Sequence, residues 1–176
     1  SEILIEKNIA RYNSSVKILI IENSFDNNLK SRLENKYENV KVILNENNGF
    51  GQAANLGAKL AKTKYIFFCS PDNFAEKDSV KKLEDLSEEL NDQFGMFVLS
   101  DENNCPEIMR QIKKTEGILC FFIKRETFLR FSGFDEKFFL YYEDNDLVKR
   151  LLKNNITMRQ VPIKYSNFLG SHNKKF

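Results

Sequence analysis

Apolar and polar positions along the chain fall into blocks whose period keeps changing. The run 16–21 is compact and apolar and is closed by Glu22-Asn23-Ser24, which reads as a buried strand with a polar exit. Val40–Leu44, Tyr65–Cys69, 94–99 and 118–123 repeat that design. Between them the spacing becomes helical. Ile3, Leu4, Ile5, Ile9 and Ala10 suit an opening helix, 29–37 a second, the Ala-rich stretch 52–62 a third, and 76–90 a charged amphipathic one. Leu147, Leu151 and Leu152 place a further helix after Glu143. Strands alternating with helices predict an α/β domain, a mostly parallel sheet flanked by helices. Ligands of such sheets bind beyond the carboxyl ends of the strands. Here those ends carry Glu22-Asn23-Ser24, the turn 45–51 and Ser70-Pro71-Asp72-Asn73, all polar and turn-forming.

The densest chemistry lies in 133–150, GFDEKFFLYYEDNDLVKR, where an aromatic run ends in Glu143, Asp144 and Asp146 at a predicted helix N-terminus. Backbone N–H groups and the helix dipole stabilise negative charge there, and Phe138, Phe139, Tyr141 and Tyr142 are expected to keep water away. Asp146 is four residues before Arg150, the spacing of an ordinary surface ion pair, and that is its favoured reading. Asp144 gains weight from the second acidic site at Asp72.

Composition narrows the classes. A chain of 176 residues, 41% hydrophobic, with sixteen Phe and no Trp, reads as one domain spanning 1–176 with a real core. Lys and Arg number 27 against 25 Asp and Glu, so a net charge of +2 supplies no field for nucleic acid, and none is expected as a partner. Cys69, Cys105 and Cys120 lack metal spacing, and two lie in apolar runs as small hydrophobes, which suits a reducing, cytoplasmic location. No apolar run reaches bilayer length. Lys174 and Lys175 leave peripheral membrane contact open, and homo-oligomerisation is likewise open.

Four blocks carry a resemblance: ILIIENS; NENNGFGQAANLGAKLAKTKYIFFCSPDN; GILCFFIKRETFLRFSGFDEKFFLYYEDNDLVKRL; and ITMRQVP. In order and spacing the chain, from Val16 onward, resembles the family 2 glycosyltransferases, an inverting group with an A-type nucleotide-sugar-binding fold, and most of all its rhamnosyltransferase-like branch. The resemblance implies transfer of a sugar from a nucleoside-diphosphate donor to an acceptor hydroxyl on a glycan or lipid-linked acceptor, in polysaccharide or cell-surface glycan synthesis. It gives Glu22 the place of an acid, usually Asp, that contacts the nucleoside. Asn48, Gly49, Gly51 and Asn55 match the turn and helix beside the donor, where glycines permit positive φ and a helix start offers N–H groups to an anion. Gly57 in the same helix reads as packing.

Ser70-Pro71-Asp72 matches the metal motif in its form with one carboxylate, so Mg²⁺ or Mn²⁺ would bridge Asp72 and the diphosphate. The other reading of Asp72 is a cap for the helix near Glu76. Asp144 matches the catalytic base and Glu143 a group orienting the acceptor or the base. His172, the only histidine, stands near a position from which family members approach the metal, though a lone histidine near a terminus is more often a surface residue. Family members open with an apolar strand lying centrally in the sheet, and residues 1–13 hold no candidate for it. The domain therefore reads as truncated at its N-terminus, with a neighbouring chain's strand or a rearranged sheet as the other ways to fill the gap. That departure keeps a second class in play, a catalytically silent nucleotide-binding or interaction module.

Overall fold

The computed structural model describes residues 2–12, 14–91, 93–115 and 117–167. His172, Lys174 and Lys175 lie outside them. The chain opens with helix α1 (Glu2–Ile9), then β1 (Ile18–Glu22), α2 (Asn27–Lys36) and β2 (Val40–Leu44). Asp26 starts α2 by accepting the N–H groups of Asn28 and Leu29, each at 2.9 Å. This puts Leu29 and Leu33 on the inner face, where they pack with Val40, Val42 and Ile9. β1 and β2 pair in parallel from Ile18↔Val40 to Glu22↔Leu44 as a sheet of their own.

The larger sheet follows α3 (Phe50–Leu60). It contains β3 (Tyr65–Cys69), β4 (Asn73–Ala75), β5 (Met96–Asp101) after α4 (Ser79–Glu89), β6 (Arg110–Gln111), β7 (Cys120–Lys124) and, after α5 (Arg125–Arg130) and α6 (Glu143–Lys153), β8 (Met158–Asn167). The strand order is β3-β7-β5-β8-β4, with β6 on β8. The expected parallel pairing holds for β1–β2 and β5–β8. Elsewhere the sheet is mixed, because β7 runs antiparallel to both β3 and β5, and β4 and β6 antiparallel to β8. Alternation sorts the core. Met96, Val98, Phe121 and Ile123 face α3, α5 and α6 through Ala58, Phe128, Leu147 and Leu151, while Phe97, Leu99, Cys120 and Phe122 face Leu83 of α4. Among the described residues no helix is long and apolar enough to cross a membrane.

Residues 1–13 indeed supply no strand in their described part, which is helical, and the structure shows what this does to the sheet. Among the described residues neither β1 nor β3 has a strand on its other edge. Two helices bridge the interval. On one face Gly57 of α3 lies against Ile21, while Ala54 and Ala58 join the cluster of Ile66 and Phe68. On the other, Ile9 of α1 joins the cluster of Ile18 and Ile20, Asn8 Nδ2 donates to Pro71 O at 2.9 Å, and the ring of Tyr12 meets Phe67 edge-on. Every residue of the apolar strands β1 and β3 is only half-buried, whereas Met96 to Ser100 of β5 and Cys120 to Ile123 of β7 are buried. Amide protection should follow this difference. Deuterium uptake over residues 19–21 and 66–68 is expected to be roughly tenfold faster than over 97–99, and equal protection would show that the interval is closed.

Candidate functional site

α3 has no side-chain cap, and its N-terminus is instead built against segment 133–142. Gly49 has φ +98°, and a Cβ there would stand 2.5 Å from the carbonyl oxygen of Phe139, so this position requires glycine twice over. The next N–H, Phe50, donates to that same Phe139 oxygen at 3.1 Å. A Cβ on Gly51 would press on Phe134 at 3.1 Å. Asn55 is buried and fully used: its Oδ1 accepts Phe134 N–H, and its Nδ2 donates to Phe134 O and Glu136 Oε1, all at 2.9 Å. Gly49, Gly51 and Asn55 thus fasten the loop that leads to Asp144, and Asn48 stands exposed at the turn with its N–H on Glu46 O. Arg150 grips the start of the loop through Phe131 O and Gly133 O while paired with Asp146 at 2.7 Å, the ion pair the spacing gave.

At the exit of β1, the Glu22 carboxylate serves its own turn. It accepts Ser24 N–H at 3.1 Å on each oxygen, Ser24 Oγ at 2.7 Å and Asp26 N–H at 2.8 Å. Burial alone would raise its pKa, yet these bonds hold it below the usual carboxylate range. Beside it, Asn45 Nδ2 reaches Asn23 Oδ1 and Gln52 Oε1, each at 2.9 Å, tying the ends of β1 and β2 to α3.

At the exit of β3, Ser70 to Asn73 form a turn closed by Asn73 N–H on Ser70 O at 3.0 Å. Asp72 is half-buried, and its carboxylate has no hydrogen-bond or ion-pair partner among the described residues. It caps no helix: β4 follows directly, and the N-cap of α4 is Asp78. Asn73, buried at 2% exposure, leaves its Oδ1 without a partner.

Asp144, half-buried in the first turn of α6, accepts the N–H of Ile118 on Oδ2 at 2.9 Å and that of Asn145 on Oδ1 at 2.7 Å. Asn145 Nδ2 also donates to Oδ1 at 3.2 Å, so it is Oδ2 that keeps a lone pair for a further donor. Glu143 beside it is 7% exposed with a buried, unpartnered Oε2, and burial pushes its pKa up. The aromatic residues do not wall off these acids as expected. Phe139, Leu140, Tyr141 and Tyr142 are exposed, because the chain turns through two successive left-handed residues, Tyr141 at φ 69° and Tyr142 at φ 72°, to start α6.

Sheet register relates the segments that carry the two acids. Cys69 is level with Cys120, so β3 ends beside the start of β7; Asp72 follows in the turn after Cys69, and Asp144 rests against Gly117-Ile118, just before Cys120. Glu22 lies across the interval, linked to them through α3 and segment 133–142. Sequence reasoning missed the part played by Gly117, where a Cβ would meet Asp144 Oδ2 at 3.3 Å, and the orphaned oxygen of Asn73. Neither carries a local signal. Among the described residues no three His, Cys, Asp or Glu side chains are placed to hold a metal ion. The donor set at Asp72 is one hard, partnerless carboxylate, which fits a cation that brings most of its own oxygen ligands.

The model of the family described as glycosyl transferase family 2 matches residues 3–151. The chain belongs to that family. No curated protein matches it. Among solved structures this glycosyltransferase chain is similar to S. aureus TarS in a fragment numbered 1–349 (TM-score 0.72, 13% identity, 94% of this chain and 56% of that one). It is also similar to a TarS structure of greater length (TM-score 0.71, 13% identity, 94% and 34%). A third is GalNAc-T7 crystallised with UDP, GalNAc and Mn²⁺ (TM-score 0.67, 15% identity, 86% and 37%). The shared fold is the A-type nucleotide-sugar transferase fold. The chain spans about a third to just over half of the length of these structures.

Two measurements check this reading of the site. Gly49→Ala should destabilise the chain by more than about 1 kcal/mol in urea unfolding, since both φ and the Phe139 oxygen oppose a Cβ. For Glu143 the folded-state pKa is raised, so between its unfolded value and that raised one the folded chain holds the extra proton and stability falls as pH rises. Glu143→Gln should therefore raise Tm at pH 7, with the gain shrinking toward pH 4; a gain independent of pH would contradict the assignment.

Proposed function

We propose that the chain is the donor-binding and catalytic part of an inverting glycosyltransferase that moves a sugar from a nucleoside diphosphate to an acceptor hydroxyl. The observation that supports this is an acid at each side of one end of the β3–β7 pair: Asp72, without a partner among the described residues, just past the exit of β3, and Asp144, held by Ile118 N–H at the entry to β7. Asp72 is the residue that would hold a divalent cation; GalNAc-T7, a protein of similar fold, was crystallised with UDP, GalNAc and Mn²⁺. When bound, that cation offsets the charge of the departing diphosphate.

Asp144 performs the proton chemistry. Its two backbone N–H contacts in the first turn of α6 hold it in place and leave Oδ2 a lone pair for the acceptor O–H. As the acceptor oxygen attacks the anomeric carbon from the face opposite the diphosphate, the hydroxyl proton passes to Asp144. Glu143, buried and unpartnered, sits behind it as a positioning group. Phe139, Tyr141 and Tyr142, exposed beside these acids, offer flat faces on which an acceptor sugar ring can stack. Rhamnosyl or hexosyl specificity and a role in polysaccharide assembly are part of the same proposal, supported by sequence resemblance.

A specific observation favours the second reading, a nucleotide-binding module without turnover. Glu22, the acid assigned to the nucleoside, has its carboxylate engaged by its own turn, and β1 and β3 are parted beside it. Calorimetry and turnover separate the two. With Mn²⁺ and UDP, the enzyme reading expects binding that falls at least about tenfold in Asp72→Ala, and donor hydrolysis or transfer that falls about 10²- to 10⁴-fold in Asp144→Asn with UDP affinity kept. Binding without any turnover in the wild type gives the module reading, and no binding to uridine, thymidine or guanosine diphosphates removes both.

A further inference from the structure

Cys69 and Cys120 were expected to act as two small apolar residues in separate strands. The structure sets them directly opposite each other on the antiparallel strands β3 and β7, with Sγ to Sγ 3.5 Å. Opposed residues on such strands have Cα atoms about 4.5–5.5 Å apart, within the span a disulfide bridges. The thiol protons can be traced. Cys69 Sγ donates to the carbonyl of Asn73 at 3.0 Å, and Cys120 then donates to Cys69. Cys69 is half-buried while Cys120 is fully buried. The hydroxyl of Tyr12 is buried beside them and meets no acceptor at hydrogen-bond geometry. The third thiol, Cys105, lies apart in a loop, with only Pro106 O near its sulfur.

We propose that Cys69 and Cys120 are an oxidisable thiol pair that closes to a cross-strand disulfide and thereby loosens the turn of Ser70 to Asn73. The oxidant is a hydroperoxide. Cys69, as thiolate, attacks the terminal peroxide oxygen, the O–O bond breaks, and the departing oxygen takes a proton as alcohol or water, leaving a sulfenic acid on Cys69. The sulfur of Cys120 attacks Cys69 Sγ, the S–O bond breaks, and hydroxide leaves with the Cys120 proton as water. Two thiols and one hydroperoxide give one disulfide, one alcohol or water, and one further water. Cys69 sulfur can then donate to nothing, so the carbonyl of Asn73, the buried residue of the turn, loses its S–H partner, and the turn gains a reason to move. Asp72 sits in that turn. Weaker binding of Mn²⁺ with UDP after oxidation is a consequence that rests on the function proposed above, whereas bond formation and turn release do not.

The test treats the full chain with hydrogen peroxide, then unfolds it in N-ethylmaleimide. The expected result is a mass lower by about 2 Da before alkylation, with Cys105 the one residue labelled, and full labelling restored by dithiothreitol. Cys105→Ser should keep the bond, and Cys120→Ser and Cys120→Ala should each lose it. Labelling of all three cysteines, a disulfide that includes Cys105, or direct passage of Cys69 to sulfinic acid would overturn the pair. Deuterium uptake over residues 70–75 should rise severalfold on oxidation of the wild type and not in the Cys120 variants. Unchanged uptake with the bond formed overturns the loosening. Neither readout needs a ligand, so a chain that binds no nucleotide still decides the matter.

Discussion

Segment 133–142 has no helix or strand of its own, and its attachment to α3 and α6 fixes where Asp144 stands. Three grips make that attachment. Arg150 holds the carbonyls of Phe131 and Gly133, Asn55 holds both backbone groups of Phe134, and the start of α3 holds the Phe139 oxygen. The first two use a half-buried and a buried polar group, Arg150 and Asn55, that would be costly to leave unpaired. Gly133, at φ +61°, allows the first two to meet, since a Cβ there would strike Asn55 Oδ1 at 2.2 Å. The tension left by this route appears at Tyr141 and Tyr142, whose left-handed conformations turn the chain sharply into α6. A loop clamped at both ends can deliver a carboxylate to a fixed point. Gly49, Gly51 and Asn55 thus act as mechanical parts of the loop.

The larger strands were legible from sequence because each is a short apolar run between turn formers, a pattern that two-sided burial imposes. Val40–Leu44 and Tyr65–Cys69 begin and end where the pattern put them. Asp146 with Arg150 was equally plain, since helical spacing alone brings them together. β4 and β6 were not legible, having three and two residues, too few for any period. β4 also displaced the start of α4 from 76 to Ser79, with Glu76 instead bonding Lys82 and the backbone of Lys164. The mixed direction of the sheet was hidden for another reason. An antiparallel β7 carries the same apolar composition as a parallel strand, so composition cannot report its direction.

The candidate site shows the same division. Asp72 and Asp144 were found because a carboxylate at a strand exit and one at a helix start leave local marks. How their segments lie relative to each other depends on register: Cys69 level with Cys120 sets the exit of β3 beside the entry to β7, and no local pattern encodes a register between strands some fifty residues apart. Glu22 is the instructive case. Its position after a strand marked it for a ligand, yet Ser24 and Asp26 follow at spacings that let a carboxylate fold back onto its own backbone, an Asx-like turn with one more methylene. That local competition is readable in ENSFD.

The parted strands bear on chemistry as well as stability. β1 carries Glu22 and β3 leads to Asp72, so a nucleotide reaching both must span an interval that only α1 and α3 bridge. The α1 bridge is polar at that point. Asn8 and Tyr12 turn toward Pro71 and Phe67, and each leaves an oxygen buried without a partner. Orphaned oxygens cost free energy that apolar contacts elsewhere must offset. With Asn73 they make three of the five such side-chain atoms among the described residues, all beside the turn that holds Asp72. A turn surrounded by unsatisfied groups is held less firmly than one in a saturated network. Asp72 thus stands in the less firmly held turn, while Asp144 is tied to Ile118 and to a loop clamped by Asn55.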